Sequence, residues 1–326
     1  MKYLIFGGSG ALGKVLIKRL LDMGNNEIFT MSRDEEKKRK LHELFPFIAC
    51  TIGDIRDYST VERYIRLVNP DFIINAAAMK QVPACETYIS EAVKTNVDGA
   101  INLVRAVEYL YPAKKPRLDY IPHLKVLSIS TDKAVKPVNS YGATKMLQER
   151  IHLNGCADAV FSCVRYGNCL ESTGSVIPIF RSCISNGQIL KITHLDMTRF
   201  LLNLERAVDL ILKSLGLGFG GTLIPAIPSA KIVDLADILI EKYGKNTQKE
   251  IVGIREGEKI NEVLISEDEL YRTFQIDEQT FMVRHFVHHE REKNLPTSKL
   301  IKEYSSADLV MNKQDLKDFL LKNKII

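Results

Sequence analysis

Short apolar runs alternate with amphipathic helical stretches through the first half of this 326-residue chain, and this alternation constrains the fold most. Strands are predicted at 3–6, 27–31, 47–51, 72–75, 125–130 and 160–165, and helices at 12–23, 35–45, 58–67, 89–111 and 142–154. Parallel strands joined in this way need crossovers, which are right-handed in nearly all proteins. The sequence therefore predicts an α/β fold with a doubly wound parallel sheet.

A glycine-rich turn stands where the first strand meets the first helix. Gly7, Gly10 and Gly13 are spaced as GxxGxxG. Glycine lets the backbone approach a pyrophosphate, and the helix N-terminus supplies N–H donors and a positive dipole. The strand–turn–helix context favours a Rossmann-type dinucleotide site over a merely tight turn. Cofactor contacts are expected from Gly7, Ser9, Gly10, Ala11, Leu12 and Gly13.

The residues after the next strands bear on which dinucleotide is bound. The second strand ends in Ser32 and Arg33, whose hydroxyl and guanidinium suit a 2′-phosphate and favour NADP, although Asp34 leaves NAD open. Asp54, after the third strand, is expected at the adenine amino group, with a helix N-cap as the alternative. Small residues after the fourth strand allow close passage of a flat cofactor, or simply helix–sheet packing: Ala76, Ala77 and Ala78.

Two pairs of proton-handling residues lie between positions 131 and 145. Asp132 and Lys133 are adjacent at a strand end, and Tyr141 and Lys145 are four apart, so they share one helix face. Tyrosine has an ordinary pKa of about 10, and a nearby ammonium group favours the phenolate, which can take a proton from a sugar hydroxyl. The alternatives are a surface turn with its own ion pair and an ordinary amphipathic helix.

Taken together, these motifs resemble those of the extended short-chain dehydrogenases/reductases. GxxGxxG, the segment 75–78 and Tyr141-x-x-x-Lys145 follow in the family's order, and the resemblance covers nearly the whole chain. Shorter motifs narrow it to the soluble C5-inverting UDP-N-acetylglucosamine 4,6-dehydratases of the polysaccharide biosynthesis protein family. They lie at 80–83, 130–134, 165–168, 174–178, 197–200 and 253–259.

The resemblance implies a division of catalytic roles. Tyr141, assisted by Lys145, would take the C4 hydroxyl proton as hydride leaves C4 for NADP⁺. Lys133, if neutral, would remove the C5 proton, and Asp132, if protonated, would donate to the departing C6 hydroxyl, with Thr131 beside them. Retaining relatives carry glutamate after the aspartate, so lysine there points to inversion, while the group that reprotonates C5 stays open. Further cofactor contacts implied are Ile55, Lys80, Asn96, Tyr141 and Lys145.

A nucleotide-linked sugar is the expected substrate. Arg181, Arg199 and Arg255 are candidate clamps for its diphosphate, because guanidinium pairs with phosphate bidentately. Asn168 follows the sixth strand, and Glu258 is expected to accept from a ribose hydroxyl. The complete expected set is Lys80, Asn168, Ser175, Val176, Arg181, Thr193, Arg199, Arg255 and Glu258.

The alternation ends near residue 168, where glycine- and proline-containing loops and single helices (204–215, 232–243) begin. We therefore divide the chain into an NADP-binding Rossmann domain at 1–168, with the catalytic residues, and a smaller lobe at 169–326. The C-terminal lobe is expected mainly to bind substrate, with some of its segments free to return to the sheet.

Composition argues against several other functions. A net charge of +5 with scattered basic residues argues against nucleic-acid binding. Six cysteines without a CxxC pair and a first strand at the very start of the chain indicate a cytoplasmic protein without a targeting segment. No apolar run reaches the roughly 18–20 residues that span a bilayer. The histidines at 285, 288 and 289 lack ligand-spaced partners, so they are expected on a solvated surface and no metal is expected. The resemblance implies a homo-oligomer.

Three other functions stay open. One is the same reaction on GDP-N-acetylglucosamine, and another is a nucleotide-sugar 4-epimerase, which needs only Tyr141, Lys145 and the cofactor. The third is a non-enzymatic sensor or scaffold that keeps NADP as a structural ligand. The complete set of acid–base residues argues against the third.

Overall fold

The computed structural model describes residues 1–113, 122–170, 175–244, 246–285 and 296–326. Strands and helices alternate through the first half of the chain as the sequence predicts. These elements are β1 (Lys2–Phe6), α1 (Ala11–Asp22), β2 (Glu27–Ser32), α2 (Glu35–Leu44), β3 (Ala49–Ile52), α3 (Tyr58–Val68), β4 (Phe72–Asn75), α4 (Val82–Thr87), α5 (Ile89–Val93), α6 (Gly99–Leu110), β5 (Leu124–Thr131), α7 (Ser140–Leu153) and β6 (Ala159–Tyr166).

The second half has shorter strands and more loops. Its elements are β7 (Asn168–Cys169), α8 (Val176–Ser185), β8 (Leu190–Ile192), β9 (Thr198–Leu202), α9 (Leu204–Gly216), β10 (Gly221–Pro225), β11 (Ser229–Lys231), α10 (Ile232–Tyr243), β12 (Lys249–Ile251), β13 (Val263–Ile265), β14 (Thr273–Asp277), β15 (Thr280–Val283), β16 (Tyr304–Ser305) and α11 (Lys313–Lys322). Among the helices described, none combines the length and apolarity needed to cross a membrane.

One large sheet organises the molecule. Its nine strands run in the order β14-β15-β10-β6-β5-β4-β1-β2-β3. The strands from β3 to β10 pair in parallel, whereas β15 is antiparallel to β10 and β14 is antiparallel to β15. The order 3-2-1-4-5-6 reverses direction beside β1, which is the Rossmann arrangement. The predicted fold class is confirmed, and three strands from the second half of the chain extend the sheet.

Helices cover both faces of this sheet. Helix α1 packs against α9 over one face, and α3 packs against α6 over the other. In α1 the buried positions Leu16, Ile17 and Leu20 recur at helical spacing, so one stripe faces the sheet. Burying such a side chain contributes about 1.5–3 kcal/mol relative to exposure. A separate apolar core joins α8, α10 and α11 in the C-terminal half.

The helix predicted at 89–111 is interrupted. The structure has α5, then a π-helical turn at Lys94–Asp98, then α6. Asn96 lies in that turn with no exposed surface. Its amide oxygen accepts from the Met79 N–H at 2.8 Å, and its Nδ2 donates to the Met79 carbonyl at 2.9 Å and to Thr144 Oγ1 at 3.0 Å. The periodicity of apolar residues carries no sign of one widened turn, which is why the sequence predicts a single helix.

Candidate active site

A cleft of about 2600 Å³ lies along the carboxyl ends of the parallel strands. The segments that follow β1 to β6 all contribute to its wall, and α8 and β8 line its far side. Ligands of doubly wound sheets bind at this edge. Predicted site residues that line the cleft are Gly7, Ser9, Gly10, Ala11, Leu12, Gly13, Ser32, Arg33, Asp54, Ile55, Ala76, Ala77, Ala78, Lys80, Thr131, Lys133, Tyr141, Lys145, Asn168, Ser175, Val176, Thr193, Arg199, Arg255 and Glu258.

Three predicted residues do not line the cleft. Asn96 lies behind its wall and holds the Met79 backbone, so it supports the site instead of reaching a ligand. Arg181 donates to the carbonyl of Ile325 and its guanidinium stands 5.6 Å from the Tyr243 ring centre. Arg181 therefore contacts the C-terminal end of the chain and does not face the cleft. This corrects its predicted role in binding the diphosphate. Asp132 is the third and is described below.

The glycine turn fits a pyrophosphate. Helix α1 begins after Gly10, which offers no side chain to accept from the first-turn N–H groups, and no acidic residue stands in that turn. A Cβ on Gly13 would lie 2.4 Å from the carbonyl oxygen of Gly8, so only glycine lets the helix start pack this closely. Uncapped N–H groups at the end of a helix dipole are suited to an anion.

The residues after β2 and β3 either line the cleft or cap a helix. The Ser32 and Ser9 hydroxyls hydrogen-bond at 3.2 Å at the cleft wall. Asp34 instead caps α2, since its Oδ1 accepts from the Lys37 N–H at 2.9 Å, and that bond holds the pKa of Asp34 below its ordinary value. Arg33 lines the cleft, with its Nη1 3.8 Å from Asp54 Oδ2.

Asp54 has more partners than the sequence predicts. Its Oδ1 accepts from the backbone N–H of Arg56 at 3.0 Å and its Oδ2 from Arg56 Nε at 2.8 Å. The helix that follows is capped by Asp57, whose Oδ1 accepts from the Ser59 N–H at 3.0 Å. The alternative that Asp54 caps this helix is therefore wrong, and its carboxylate stays at the cleft wall.

Strand β5 delivers the first pair of proton-handling residues. It ends at Thr131 and turns at once into a 3₁₀ turn, Asp132–Ala134. Helix α7 starts beside this turn, because Gly142 has no side chain there. A Cβ on Gly142 would lie 2.2 Å from the carbonyl oxygen of Lys133. The close approach brings Tyr141, on the first turn of α7, next to Lys133.

Lys133 lies between two carboxyl groups. Its Nζ is 3.1 Å from Asp132 Oδ1 and 3.1 Å from Glu262 Oε1, and 3.5 Å from Asn168 Oδ1. Burial alone would lower the pKa of Lys133, but the Asp132 and Glu262 charges outweigh burial and raise it. The role that the resemblance implies for Lys133 needs the neutral amine, whereas this arrangement favours the ammonium form.

Asp132 has no exposed surface. Its Oδ1 accepts from Thr131 Oγ1 at 2.9 Å and from Lys133 Nζ, while its Oδ2 has no hydrogen-bond partner among the described residues. Burial raises the pKa of Asp132, and the charge of Lys133 acts against this rise. Direct donation to a ligand is not what the geometry provides, because Thr131 and Lys133 face the cleft and Asp132 lies behind them.

Tyr141 and Lys145 occupy one helix face as predicted, and burial shifts the pKa of each. Burial raises the pKa of Tyr141 to about 12, and the charge of Lys133 and a hydrogen bond with Thr131 act against this rise. Lys145 Nζ donates to the Ile129 carbonyl at 2.6 Å and also to Gln148 Oε1. Burial lowers the pKa of Lys145 to about 8, so this amine is poised near neutrality.

Arg199 and Arg255, at the substrate end, differ in how many contacts they make with the protein itself. Arg199 uses both Nη atoms on backbone carbonyls, with bonds to Thr198, Ile260 and Lys259 of 2.7 to 3.0 Å. It therefore pins the segment before β13. Arg255 lies exposed at the cleft, 3.9 Å from Glu258 Oε1, and is the better placed of the two for a diphosphate.

The N-terminus of α8 faces the same cleft. Ser175 stands at its N-cap without a side-chain capping bond, and its buried Oγ has no hydrogen-bond partner in the described part of the chain. The predicted Gly174 next to it lies outside the described residues, as do His288 and His289. His285 is buried, so the predicted solvated surface is wrong for this residue. Within the described ranges, no group of His, Cys, Asp and Glu could hold a metal ion.

Sequence reasoning missed Glu262. Its carboxylate is 3% exposed, lines the cleft and lies beside Lys133, Arg199 and Lys259. The nearest motif noted in the sequence ends at position 259, three residues short of it. A charged residue directly before the apolar run Val263–Ile265 was the available signal.

Comparisons with known proteins bear on this site. The model of a family described as polysaccharide biosynthesis protein matches residues 3–284. The chain is 39% identical to a UDP-N-acetylglucosamine 4,6-dehydratase (inverting) of Campylobacter jejuni over 84% of this chain and 80% of that protein. It is 34% identical to a UDP-glucose 4-epimerase of Rickettsia massiliae over 98% and 94%. The X-ray structure of Pen from Bacillus thuringiensis superposes with a TM-score of 0.89 at 31% identity, covering 100% and 98%.

Proposed function

This chain belongs to the polysaccharide biosynthesis protein family, and on that premise we propose that it is an NADP-dependent, C5-inverting 4,6-dehydratase of UDP-N-acetylglucosamine. One observation carries the proposal. Lys133 stands between Asp132 and Glu262 at the carboxyl end of β5, next to Tyr141. A 4-epimerase needs only a base at C4, whereas elimination of water across C5 and C6 also needs groups that move protons there.

The residues at the glycine turn and after β2 would hold the cofactor. The α1 N-terminus suits its pyrophosphate, and the Ser9–Ser32 pair with Arg33 suits a 2′-phosphate, since Asp34 is engaged as a helix cap. A nicotinamide held there would supply the hydride acceptor for the sugar and the source from which the hydride returns. The capping role of Asp34 is the observation that favours NADP over NAD.

Tyr141 is the group that would take the C4 hydroxyl proton. Its pKa is about 12 as it stands, so the phenolate forms only with nearby positive charge, and Lys133 and Thr131 already act in that direction. Lys145 lies one helical turn further on, with a pKa near 8. It can hold or release a proton at neutral pH, which fits it to exchange protons with the tyrosine side of the site.

Lys133 and Asp132 would handle the protons at C5 and C6. Lys133 faces the cleft, and it can take the C5 proton only after giving up the proton it holds here. The Glu262 carboxylate, in contact with Nζ, is the nearest acceptor. Thr131 Oγ1 and Lys133 Nζ both donate to Asp132 Oδ1, so either group can give its own proton to the cleft and take a replacement from Asp132. The departing C6 hydroxyl is therefore protonated through these groups instead of directly.

Two features would hold the substrate diphosphate. Arg255 lies exposed at the cleft, and the N-terminus of α8, with the unpartnered Oγ of Ser175, faces the same space. A guanidinium and a helix N-terminus both favour a diphosphate. Neither feature distinguishes uridine from guanosine. The uridine assignment rests on the similarity to the Campylobacter dehydratase.

The test is incubation with UDP-N-acetylglucosamine, and separately with GDP-N-acetylglucosamine, in deuterated water. We expect the UDP sugar alone to give a product lighter by one water, with deuterium at C5 and inverted C5 configuration. Lys133→Met should abolish this product, and Lys136→Met, a change at an exposed neighbour outside the cleft, should not. A product of unchanged mass with inverted C4 would instead assign the chain to the epimerases, as the similarity to the Rickettsia protein would allow.

A further inference from the structure

We propose that Glu262 is a positioning residue of this site: it serves as the counter-ion of Lys133 and thereby leaves Asp132 able to keep its proton. The inference rests on the proposed function, in which Asp132 supplies a proton to the elimination. It brings into the site a residue 129 positions away from Lys133 in the chain.

The backbone around Glu262 is fixed from both sides. The Glu262 N–H donates to Ser306 Oγ at 2.9 Å, and its carbonyl accepts from the Ser306 N–H at 2.8 Å. Just before it, the carbonyls of Lys259 and Ile260 accept from Arg199 at 2.9 and 3.0 Å. The backbone that carries this carboxylate is therefore held in place, and a counter-ion on a fixed backbone costs less entropy to position.

Three cations surround the Glu262 carboxylate. Lys133 Nζ is 3.1 Å from Oε1, Lys259 Nζ is 3.7 Å from Oε2, and Arg199 Nε is 3.8 Å from Oε1. Burial would raise the pKa of Glu262, but these charges outweigh burial and lower it. Glu262 is thus the ionised carboxyl group of the cluster. Its Oε2 has no hydrogen-bond partner among the described residues.

The charge of Glu262 then favours one distribution of protons between the two carboxyl groups. Lys133 carries one positive charge and contacts two carboxyl groups at equal distance. Asp132 is the more buried, and the charge of Glu262 adds to the rise in its pKa, so of the two carboxyl groups Asp132 is the one that favours the protonated form. If Glu262 were neutral, Asp132 would be the sole acidic neighbour within 4 Å of Nζ in the described structure, and the ammonium group would favour its ionisation. An ionised Asp132 has no proton to supply.

Other charged and titratable groups face this cluster without replacing Glu262. Tyr141 approaches from α7 and Cys169 from β7, and both are uncharged near neutrality because burial raises their pKa values to about 12. Lys259 is held by the Val135 carbonyl, to which its Nζ donates at 2.6 Å. Neither Tyr141 nor Cys169 can therefore replace Glu262 as a counter-ion of Lys133 near neutrality.

Glu262→Gln tests this directly, since it keeps the shape and removes the charge. In protein labelled with ¹³C at the aspartate carboxyl carbon, the Asp132 signal is identified by its loss in Asp132→Asn. We expect this signal to remain protonated through neutral pH in the native chain. In Glu262→Gln its midpoint should fall by about 1 pH unit or more. An unchanged midpoint, or a native Asp132 that is already ionised at neutral pH, would overturn the proposal.

Kinetics and a matched set of variants complete the test. For Glu262→Gln we expect kcat to fall about 100-fold or more, with KM changed less than about threefold. Glu262→Asp keeps the charge and should restore most of the Asp132 midpoint. Glu267→Gln removes an exposed carboxylate that pairs with Lys136, and it should change neither the Asp132 midpoint nor kcat. A native kcat in Glu262→Gln would refute the proposal. If the native chain dehydrates neither sugar, the proposed function fails, whereas the carboxyl titration still decides the charge assignment.

Discussion

Replacing Arg165 by methionine should destabilise the protein through a single buried cluster of charges. Arg165, on β6, donates to both oxygens of Glu149 on α7 at 2.7 and 3.0 Å. It also donates to both oxygens of Glu269 at 2.8 and 3.0 Å, and to the carbonyl of Leu264 at 2.8 Å. All three charged side chains are less than a tenth exposed. Methionine would fill much of the volume but leave two buried carboxylates without a counter-ion.

Removing one partner of such a buried ion pair costs about 3–5 kcal/mol. At about 2.1 cal/mol/K of unfolding entropy per residue, the 326 residues give about 0.7 kcal/mol/K, so Tm should fall by about 4–7 °C. Scanning calorimetry at neutral pH measures this change. Glu269 can protonate more readily once Arg165 no longer lowers its pKa, so the loss should shrink as the pH falls toward 4.5.

The matched control is Arg66→Met, which removes an Arg–Glu pair of the same composition from the surface of α3. Arg66 is 58% exposed and pairs with Glu62 one turn earlier. Exposed pairs contribute less than about 1 kcal/mol, so its Tm should fall by no more than about 1–2 °C. If both variants melt at the same temperature, burial of the Arg165 cluster is not what stabilises it, and the reasoning above is refuted.

Three further predictions concern the cleft. Gly13→Ala should lower the free energy of unfolding, measured with denaturant, by about 1–3 kcal/mol, because its Cβ would meet the Gly8 backbone at 2.4 Å. Gly10→Ala is the control: the nearest contact of its Cβ would be 3.4 Å away, so its unfolding should be unchanged. Arg33→Ala should weaken NADP⁺ binding about ten- to hundredfold in calorimetric titration, as loss of a charge-assisted hydrogen bond implies, and equal weakening of NAD⁺ would contradict the 2′-phosphate role. Burial lowers the pKa of Lys145 to about 8 in the folded chain, so above that pH the unfolded chain binds more protons. The native protein should therefore gain about 3 kcal/mol of stability relative to Lys145→Met as the pH rises from about 8 to 10.5. A stability difference that does not depend on pH would exclude this lowered pKa.

The sheet could be predicted because its signals are local. Each of β1 to β6 is a short apolar run between helices, and the predicted limits of β4, Phe72–Asn75, are those of the structure. The return of β10, β15 and β14 to the sheet could not be located, since their pairing depends on partners far away in the chain. The π-helical turn at Lys94–Asp98 was also out of reach, because it depends on the contact of Asn96 with Met79.

The site was predictable as far as its residues follow strand ends. The turn at Gly7, the Asp132–Lys133 pair and Tyr141 all stand directly after a strand or at a helix start, and the structure brings all of them but Asp132 to one cleft. Protonation states were not predictable in this way. The role implied for Lys133 needs the neutral amine, but Glu262, a carboxylate that local patterns do not place beside it, favours the ammonium form.

The segment from Glu262 to Glu269 supplies counter-ions to two neighbouring strands. Glu262 pairs with Lys133 just after β5, and Glu269 pairs with Arg165 on β6, which is hydrogen-bonded to β5 along its length. Arg165 also holds the carbonyl of Leu264, two residues after Glu262. The charge state of the site and the attachment of this segment to the sheet therefore depend on the same short stretch of chain. For this reason Arg165→Met should lower kcat beyond what its loss of stability explains, with the deficit persisting at temperatures where the variant is fully folded.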